Sequence, residues 1–347
     1  MRNKFLSYKT LSDIILIESL QQIITTTQNY KKKFYIIDRI VNTKFKLHKL
    51  ITTHNKITIN SKENIKTLKT FTKIINAMLE KDICKTATLI AIGGGVIGDL
   101  SGLIAKCYYR GIKLINIPTT LIAQIDSAIG GKNGVNSNQG KNLIGSFKQA
   151  NQILIYTPFL TQLSNYNLTC GLSEAIKIAI INNKVLFKFI QQNLILIINK
   201  QINSLKTVLK HAITSKCKLI LHDTHETHTQ RIKLNLGHTY AHAIEKYLNY
   251  SINHGEAVLM GLILATRISQ YYTHYDLQAI TTLIQATKPY IGNKLLRINK
   301  KLLIKNICYD KKKIDNNQIT IIIIKKIGKV KNITIKITQL SKLVNMV

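Results

Sequence analysis

The chain has no tryptophan, three prolines, 17 glycines and only 16 acidic residues in 347. None of its apolar runs approaches the roughly 18 residues that cross a bilayer, so no membrane-spanning helix is expected. The start, MRNKFLSYKTLSDII, has no apolar stretch followed by a small-residue cleavage site, so no signal peptide is expected. Cysteines number five (Cys84, Cys107, Cys170, Cys217 and Cys308), widely spaced and never C-x-x-C. That argues against a disulfide framework and suits a reducing, cytoplasmic compartment.

Against the 16 acids stand 50 lysines and arginines, for a formal net charge of +34. Such an excess fits nucleic acid or an anionic membrane. The lysines are scattered, however, with no RNP-type aromatic motif and no zinc-finger spacing. Lys, Ile, Asn, Thr and Tyr are plentiful and Arg is rare beside Lys, the pattern of an A/T-rich coding genome. Base composition therefore accounts for the charge, and neither a nucleic-acid nor a membrane partner is expected. A positive field still draws in a small anionic substrate.

Short strand-like and helix-like runs alternate in the first part. KKKFYIID (31–38), KITI (56–59), TATLIAI (86–92) and GIKLINIPTT (111–120) read as strands. Residues 64–81 read as a helix, with Ile65, Leu68, Phe71, Ile75, Met78 and Leu79 at helical spacing. This rhythm implies a mainly parallel, Rossmann-like sheet with covering helices over 1–160. From 161 to 347 the segments read as helices, and only ITIIIIKKIG (319–328) looks like a strand.

Four stretches carry chemistry. IAIGGGVIGDLSGLIA (90–105) sets Gly93, Gly95 and Gly98 in G-x-G-x-x-G between a strand and a helix. Backbone N–H groups and a helix start can approach a diphosphate there. The acid expected about 20 residues later to hold a ribose is missing from INIPTT, and a plain strand–helix turn is an even alternative. QIDSAIGGKNGVNSNQGKNLIGSF (124–147) offers Asp126, Lys132, Lys141 and Asn142, a set suited to phosphate, although no P-loop spacing is present. A solvated loop is its plain alternative. GLSEAIKIAI (171–180) places Glu174 and Lys177 three apart, an ordinary helical ion pair if nothing else were known. LNLGHTYAHAIEKYLNYSINHGEAV (234–258) holds His238, His242 and His254. Histidines four apart share a helix face and suit a metal, although no H-E-x-x-H is present. His222, His225 and His228 form a competing group in a polar stretch.

Together, GGGVIGDLSG, RGIKLINIPTTLIAQIDSAIGGKNGVN, GKNLIGSF, GLSEAIK, LNLGHTYAHAIE and HGEAV closely resemble the 3-dehydroquinate synthase family of sugar phosphate cyclases, from about residue 60 to the DKKK run at 310–313. The resemblance implies an NAD-binding α/β domain over 1–160, a mostly helical metal- and substrate-binding domain over 161–347, and an active site in the cleft between them. It implies conversion of 3-deoxy-D-arabino-heptulosonate 7-phosphate to 3-dehydroquinate and phosphate, through transient oxidation by NAD, phosphate elimination, reduction and aldol closure. It implies one divalent metal, zinc with cobalt as the alternative, held by Glu174, His238 and His254.

By the same resemblance the substrate phosphate meets Lys132, Asn142, Asn235, His242 and a lysine of the DKKK run, Lys312 or Lys311. Arg110 would reach in from the partner of a homodimer. The substrate carboxylate would meet Arg231 and Lys216, with Lys218 the alternative. Lys177 would stand beside the metal, Asp126 at the ring hydroxyls, and Glu226 nearest the ring in its loop. The cofactor would meet Asp38, Glu63, Lys66, the turn Gly95, Val96, Ile97, Gly98 and Asp99, then Thr119, Thr120, Lys132, Lys141, and Phe159, Leu160, Thr161 and Gln162. Acids upstream of the glycine turn then do the work of the missing ribose acid. The chain departs from the family in having SKENIK (61–66) for D-G-E-x-x-K, Asn133 for Thr, and one extra residue between Lys216 and Arg231. Rival readings are a cyclase acting on a substrate without a carboxylate, a metal-dependent polyol dehydrogenase, and a basic nucleic-acid binder.

Overall fold

The computed structural model describes residues 4–6, 12–30, 32–221, 229–291, 300–308 and 318–346. It divides into two compact units, Met1–Leu163 and Ser164–Val347.

The first unit is built on seven strands: β1 (Lys4–Leu6), β2 (Asp13–Leu16), β3 (Lys33–Asp38), β4 (Lys56–Ile59), β5 (Thr88–Gly93), β6 (Lys113–Pro118) and β9 (Gln152–Ile155). Their order is β1-β2-β9-β6-β5-β3-β4, parallel throughout except for β1 against β2. Its helices are α1 (Gln21–Thr27), α2 (Arg39–Lys44), α3 (Leu47–Leu50), α4 (Leu68–Leu79) and α5 (Gly95–Cys107). A parallel sheet is buried on both faces, so its strands read as continuous apolar runs; all six residues of β5 are buried. Alternate residues share a face, and Tyr35, Ile37, Ile90, Ile92, Ile115 and Ile117 form one cluster with Leu47, Ile51 and Phe159. The chain runs outward from β3 to β4, then returns to place β5 on the other side of β3. Such a reversal opens a crevice at the carboxyl ends of the two strands. Asp38 ends one and Gly93 ends the other.

Helix α4 begins at Leu68, four residues later than the spacing predicts. Thr67 is extended and its hydroxyl accepts the Thr70 N–H, a capping bond that fixes the start. Ile74 and Met78 are its buried residues, while Leu68 and Leu79 are exposed. The stretch open to a solvated-loop reading forms a hairpin of β7 (Lys132–Ser137) and β8 (Gly140–Phe147) instead.

The second unit contains α6 (Asn165–Asn182), α7 (Lys184–Ile198), α8 (Ile202–Ile220), α9 (Thr229–Ile232), α10 (His238–Tyr247), α11 (His254–Gln270), α12 (Gln278–Ile291), α13 (Lys300–Cys308) and α14 (Ile337–Met346). The strand expected at 319–328 is β10 (Gln318–Lys326), and it has an unexpected partner, β11 (Lys329–Lys336). Gly328, at φ 86, makes the turn between them. Lysines at 329, 331 and 336 hide the apolar alternation of β11. Among the described residues no helix is long and apolar enough to cross a membrane.

Candidate active site

Helix α6 is buried along its whole length from Leu168 to Ile181, and Glu174 and Lys177 lie in its middle. A charge this deep needs a partner. The Lys177 ammonium pairs with Glu174 Oε2 one turn away. Burial alone would raise the Glu174 pKa, but Lys177 and then His254 outweigh it and hold the carboxyl at about 2. The ion pair open from spacing alone is therefore real, and it is buried rather than on a surface.

Two helices are brought onto this carboxylate by glycines. A Cβ at Gly255 would collide with the Cys170 carbonyl of α6, one turn before Glu174. A Cβ at Gly261 would collide with the carbonyl of Gly237, the left-handed residue (φ 76) that starts α10. The Tyr166 hydroxyl donates to Glu256 Oε2 at 2.9 Å, tying α6 to the start of α11. As a result the His238 and His254 rings lie 5.2 Å apart.

Both rings present Nε2 to one oxygen: His238 and His254 are each 3.6 Å from Glu174 Oε1. His238 Nδ1 is 3.2 Å from the Leu236 carbonyl, and His254 Nδ1 is 3.4 Å from Glu245 Oε2. A ring whose Nδ1 is held this way offers Nε2 to a cation. Glu174, His238 and His254 are the one such group found among the described residues, with ligand atoms within 4.8 Å of one another. Among the described residues nothing donates a hydrogen bond to Glu174 Oε1, although it is buried. Two imidazoles and a carboxylate are hard-to-borderline donors that suit zinc or cobalt, so the set fits a divalent metal. Burial would lower the His254 pKa, but the facing Glu174 and Glu245 carboxylates raise it to about 10. His242, one turn on from His238, is exposed and its ring is 5.6 Å from that of His238. Sequence reasoning missed Glu245; its signal was the seven-residue step from His238, which keeps it on the same helix face.

Lys216 is buried in α8 and Lys218 is exposed; Arg231 is buried in α9. Asn235 ends a short 3-10 turn just before α10. Lys311, Lys312, Glu226, His222, His225 and His228 lie outside the described residues.

In the first unit, Gly95–Asp99 is the first turn of α5. Gly93 packs under Ile97, while a Cβ at Gly98 would meet nothing within 4 Å among the described residues. That open backbone beside a helix start fits the diphosphate of a dinucleotide. Thr119 N–H donates to the Gly93 carbonyl at 3.0 Å, and the Thr120 hydroxyl accepts the Ala123 N–H at 3.3 Å. Asp38 caps α2 by accepting the Val41 N–H at 3.0 Å, and Ser61 Oγ donates to its other oxygen. Lys66 is buried, paired with Asp99 and donating to Asn142 Oδ1. Burial pushes the Asp99 carboxyl up to about 6, against the pull of Lys66. Glu63 is exposed and accepts from Asn136 Nδ2 at 2.8 Å. Phe159 and Leu160 are buried; Thr161 Oγ1 donates to the Pro158 carbonyl, and the Gln162 carbonyl accepts from Lys44. Asp126 lies in the π-turn Ala123–Ser127.

The hairpin does not bring Lys132 beside Asn142. Lys132 pairs with Phe147 at one end, whereas Asn142 lies against Asn136 near the other, roughly 15 Å along the strand at about 3.4 Å per residue. Lys141 adjoins Asn142. Arg110 is exposed at the end of the turn Tyr108–Arg110, where Tyr109 and Arg110 take φ 46 and 62.

Residues 56–170 match the family described as 3-dehydroquinate synthase N-terminal, and residues 171–313 match 3-dehydroquinate synthase C-terminal. A curated 3-dehydroquinate synthase of Buchnera aphidicola subsp. Baizongia pistaciae is 37% identical over 275 residues, 78% of this chain and 76% of the relative. Another, of Buchnera aphidicola subsp. Cinara cedri, is 35% identical over 326 residues, 92% of this chain and 86% of the relative. Among solved structures, 2-epi-5-epi-valiolone synthase from Streptomyces hygroscopicus subsp. jinggangensis 5008, with NAD+ and Zn2+ bound, superposes with a TM-score of 0.86. It is 22% identical and covers 98% of each chain. That likeness shows the fold.

Proposed function

The chain belongs to the 3-dehydroquinate synthase family, and on that premise we propose that it is a phosphorus–oxygen lyase converting 3-deoxy-D-arabino-heptulosonate 7-phosphate to 3-dehydroquinate and phosphate. When bound, NAD supplies a hydride acceptor and a divalent metal, zinc or cobalt, supplies a Lewis acid. Glu174, His238 and His254 would hold the metal, and three ligands leave coordination open for substrate hydroxyls. Supporting this is the single observation that carries the reading: an ionised, buried carboxylate oxygen without a hydrogen bond, facing two oriented imidazole nitrogens.

The remaining residues bind and orient. The buried Lys177 ammonium fixes the Glu174 carboxylate and stands where it can donate to a substrate hydroxyl. Asn142, Asn235, His242 and a lysine of the DKKK run hold the substrate phosphate. Lys132, at the far end of the hairpin from Asn142, meets a phosphate or the cofactor separately. The phosphate dianion takes the proton made acidic by oxidation next to it, so the chain's task is alignment. Asp126 meets ring hydroxyls. Asp38, Glu63, Lys66, the Gly95–Asp99 turn, Thr119, Thr120, Lys141 and the Phe159–Gln162 segment hold NAD. Arg110, exposed beside Tyr109, serves the partner of a homodimer. Cys84, Cys107, Cys170 and Cys217 are free thiols, in keeping with a cytoplasmic protein.

Lys216 and Arg231 hold the substrate carboxylate, and two buried cations suit one carboxylate by charge-assisted bonds. They discriminate this reading from a cyclase whose substrate lacks that group. Supplied separately with the heptulosonate phosphate and with a ketose phosphate of the same length lacking the carboxylate, the protein should turn over only the first. Equal or preferred turnover of the second would overturn the carboxylate assignment.

A further inference from the structure

Asn136 has no role in the scheme above, yet it joins two parts of it. It lies in β7 of the hairpin, next to the segment that carries Glu63 and Lys66. Its backbone N–H donates to the Lys66 carbonyl at 2.7 Å. Its side-chain Nδ2 donates to Glu63 Oε1 at 2.8 Å, and its Oδ1 accepts the Asn142 backbone N–H at 3.0 Å. The Lys66 ammonium closes the circuit by donating to Asn142 Oδ1 and pairing with Asp99.

Each bond fixes something the backbone alone does not. Glu63 is exposed, at the start of a three-residue turn; a bond to one carboxylate oxygen orients the other. Asn142 holds φ 55, a left-handed conformation that residues other than glycine seldom adopt. The Asn136 side-chain Oδ1 accepts the N–H of that very residue. The amide supplies both ends from one planar group: a donor toward a carboxylate and an acceptor toward a backbone N–H.

We propose that Asn136 is a positioning residue that couples the cofactor grip at Glu63 and Lys66 to the phosphate grip at Asn142. The proposal rests on reading Glu63 as a cofactor residue and Asn142 as a phosphate residue. Its consequence is that damage at Asn136 weakens NAD and inorganic phosphate together, although it touches neither.

The test is a double-mutant cycle on the full-length protein. Asn136→Asp is nearly isosteric and keeps the acceptor for Asn142, but sets a carboxylate against Glu63. It should raise the NAD dissociation constant about tenfold, the scale of one hydrogen bond to a charged group. Glu63→Gln supplies an amide to face that new carboxylate. The double variant should therefore bind NAD better than the product of the two single losses predicts. Asn136→Ala, which loses both bonds, should weaken NAD and inorganic phosphate alike in calorimetry, while its melting temperature reports folding separately. Two losses that multiply, or an Asn136→Ala protein that weakens neither ligand, would overturn the coupling. If Glu63→Gln alone leaves NAD binding unchanged, the cofactor reading of Glu63 fails and the proposal falls with it. If Glu63→Gln weakens NAD but the losses multiply, that reading stands and only the coupling fails.

Discussion

At the scale of residues, His238 and His242 are one turn apart and exposed to different degrees, and the proposal gives them different work. His254→Ala removes one of three ligands and should abolish metal retention, read by metal analysis after dialysis. His242→Ala should retain the metal and slow phosphate release; metal loss there would show the assignment wrong. The protonation of His254 makes a second prediction. Its metal-free pKa of about 10 lies above the ordinary imidazole value. Its pairing with Glu174 and Glu245 therefore stabilises the metal-free protein fully below about pH 6.5 and is lost as pH rises through about 10. A metal must displace that proton, so metal affinity should rise about tenfold per pH unit across this window. Calorimetric zinc titrations at several pH values, in buffers of different ionisation enthalpy, would read the slope and the released proton. A flat profile would contradict it.

At the scale of elements, glycines do two different jobs, and one substitution separates them. Gly98 faces open space within α5. Gly98→Ala should therefore stabilise the helix by about 0.5–1 kcal/mol while weakening NAD binding, since the methyl would occupy the approach proposed for the cofactor. Gly255 abuts the Cys170 carbonyl. Gly255→Ala should destabilise by about 1–3 kcal/mol and push α11 off α6, with loss of metal; thermal melts with and without metal would check both. Elements with a plain period were legible in the sequence. β3, β5 and β6 announce themselves because a doubly covered strand is apolar throughout. The start of α4 was not, because a threonine capping bond overrides apolar spacing. β11 was not, because its lysines face outward. The residues proposed to hold the metal come from α6, α10 and α11, and spacing along one helix could suggest only His238 and His242. His254 and Glu174 became legible through the ordered set of motifs, and Glu245 only through the contact between helices.

At the scale of the whole molecule, the charge of +34 coexists with a local cluster of opposed charges in the second unit: the buried Glu174 and Lys177, the buried His238 and the half-exposed His254. Arg110 extends the account beyond one chain. If it serves a partner's site in a homodimer, Arg110→Ala and His254→Ala proteins are each inactive but complement each other. Mixed dimers make up about half of a re-equilibrated mixture and carry one intact site in two, so about a quarter of wild-type activity should return. No recovery on mixing would place Arg110 in its own chain's site or outside any.

The central claim is that oxidation, phosphate loss and reduction occur within one turnover. The measurement that tests it follows phosphate, NADH and product together when metal-loaded protein meets the heptulosonate phosphate with NAD in trace amount. One phosphate and one 3-dehydroquinate per substrate, with no net NADH, is the predicted result. No phosphate release, or NADH accumulating with each turnover when NAD is supplied in excess, would contradict it.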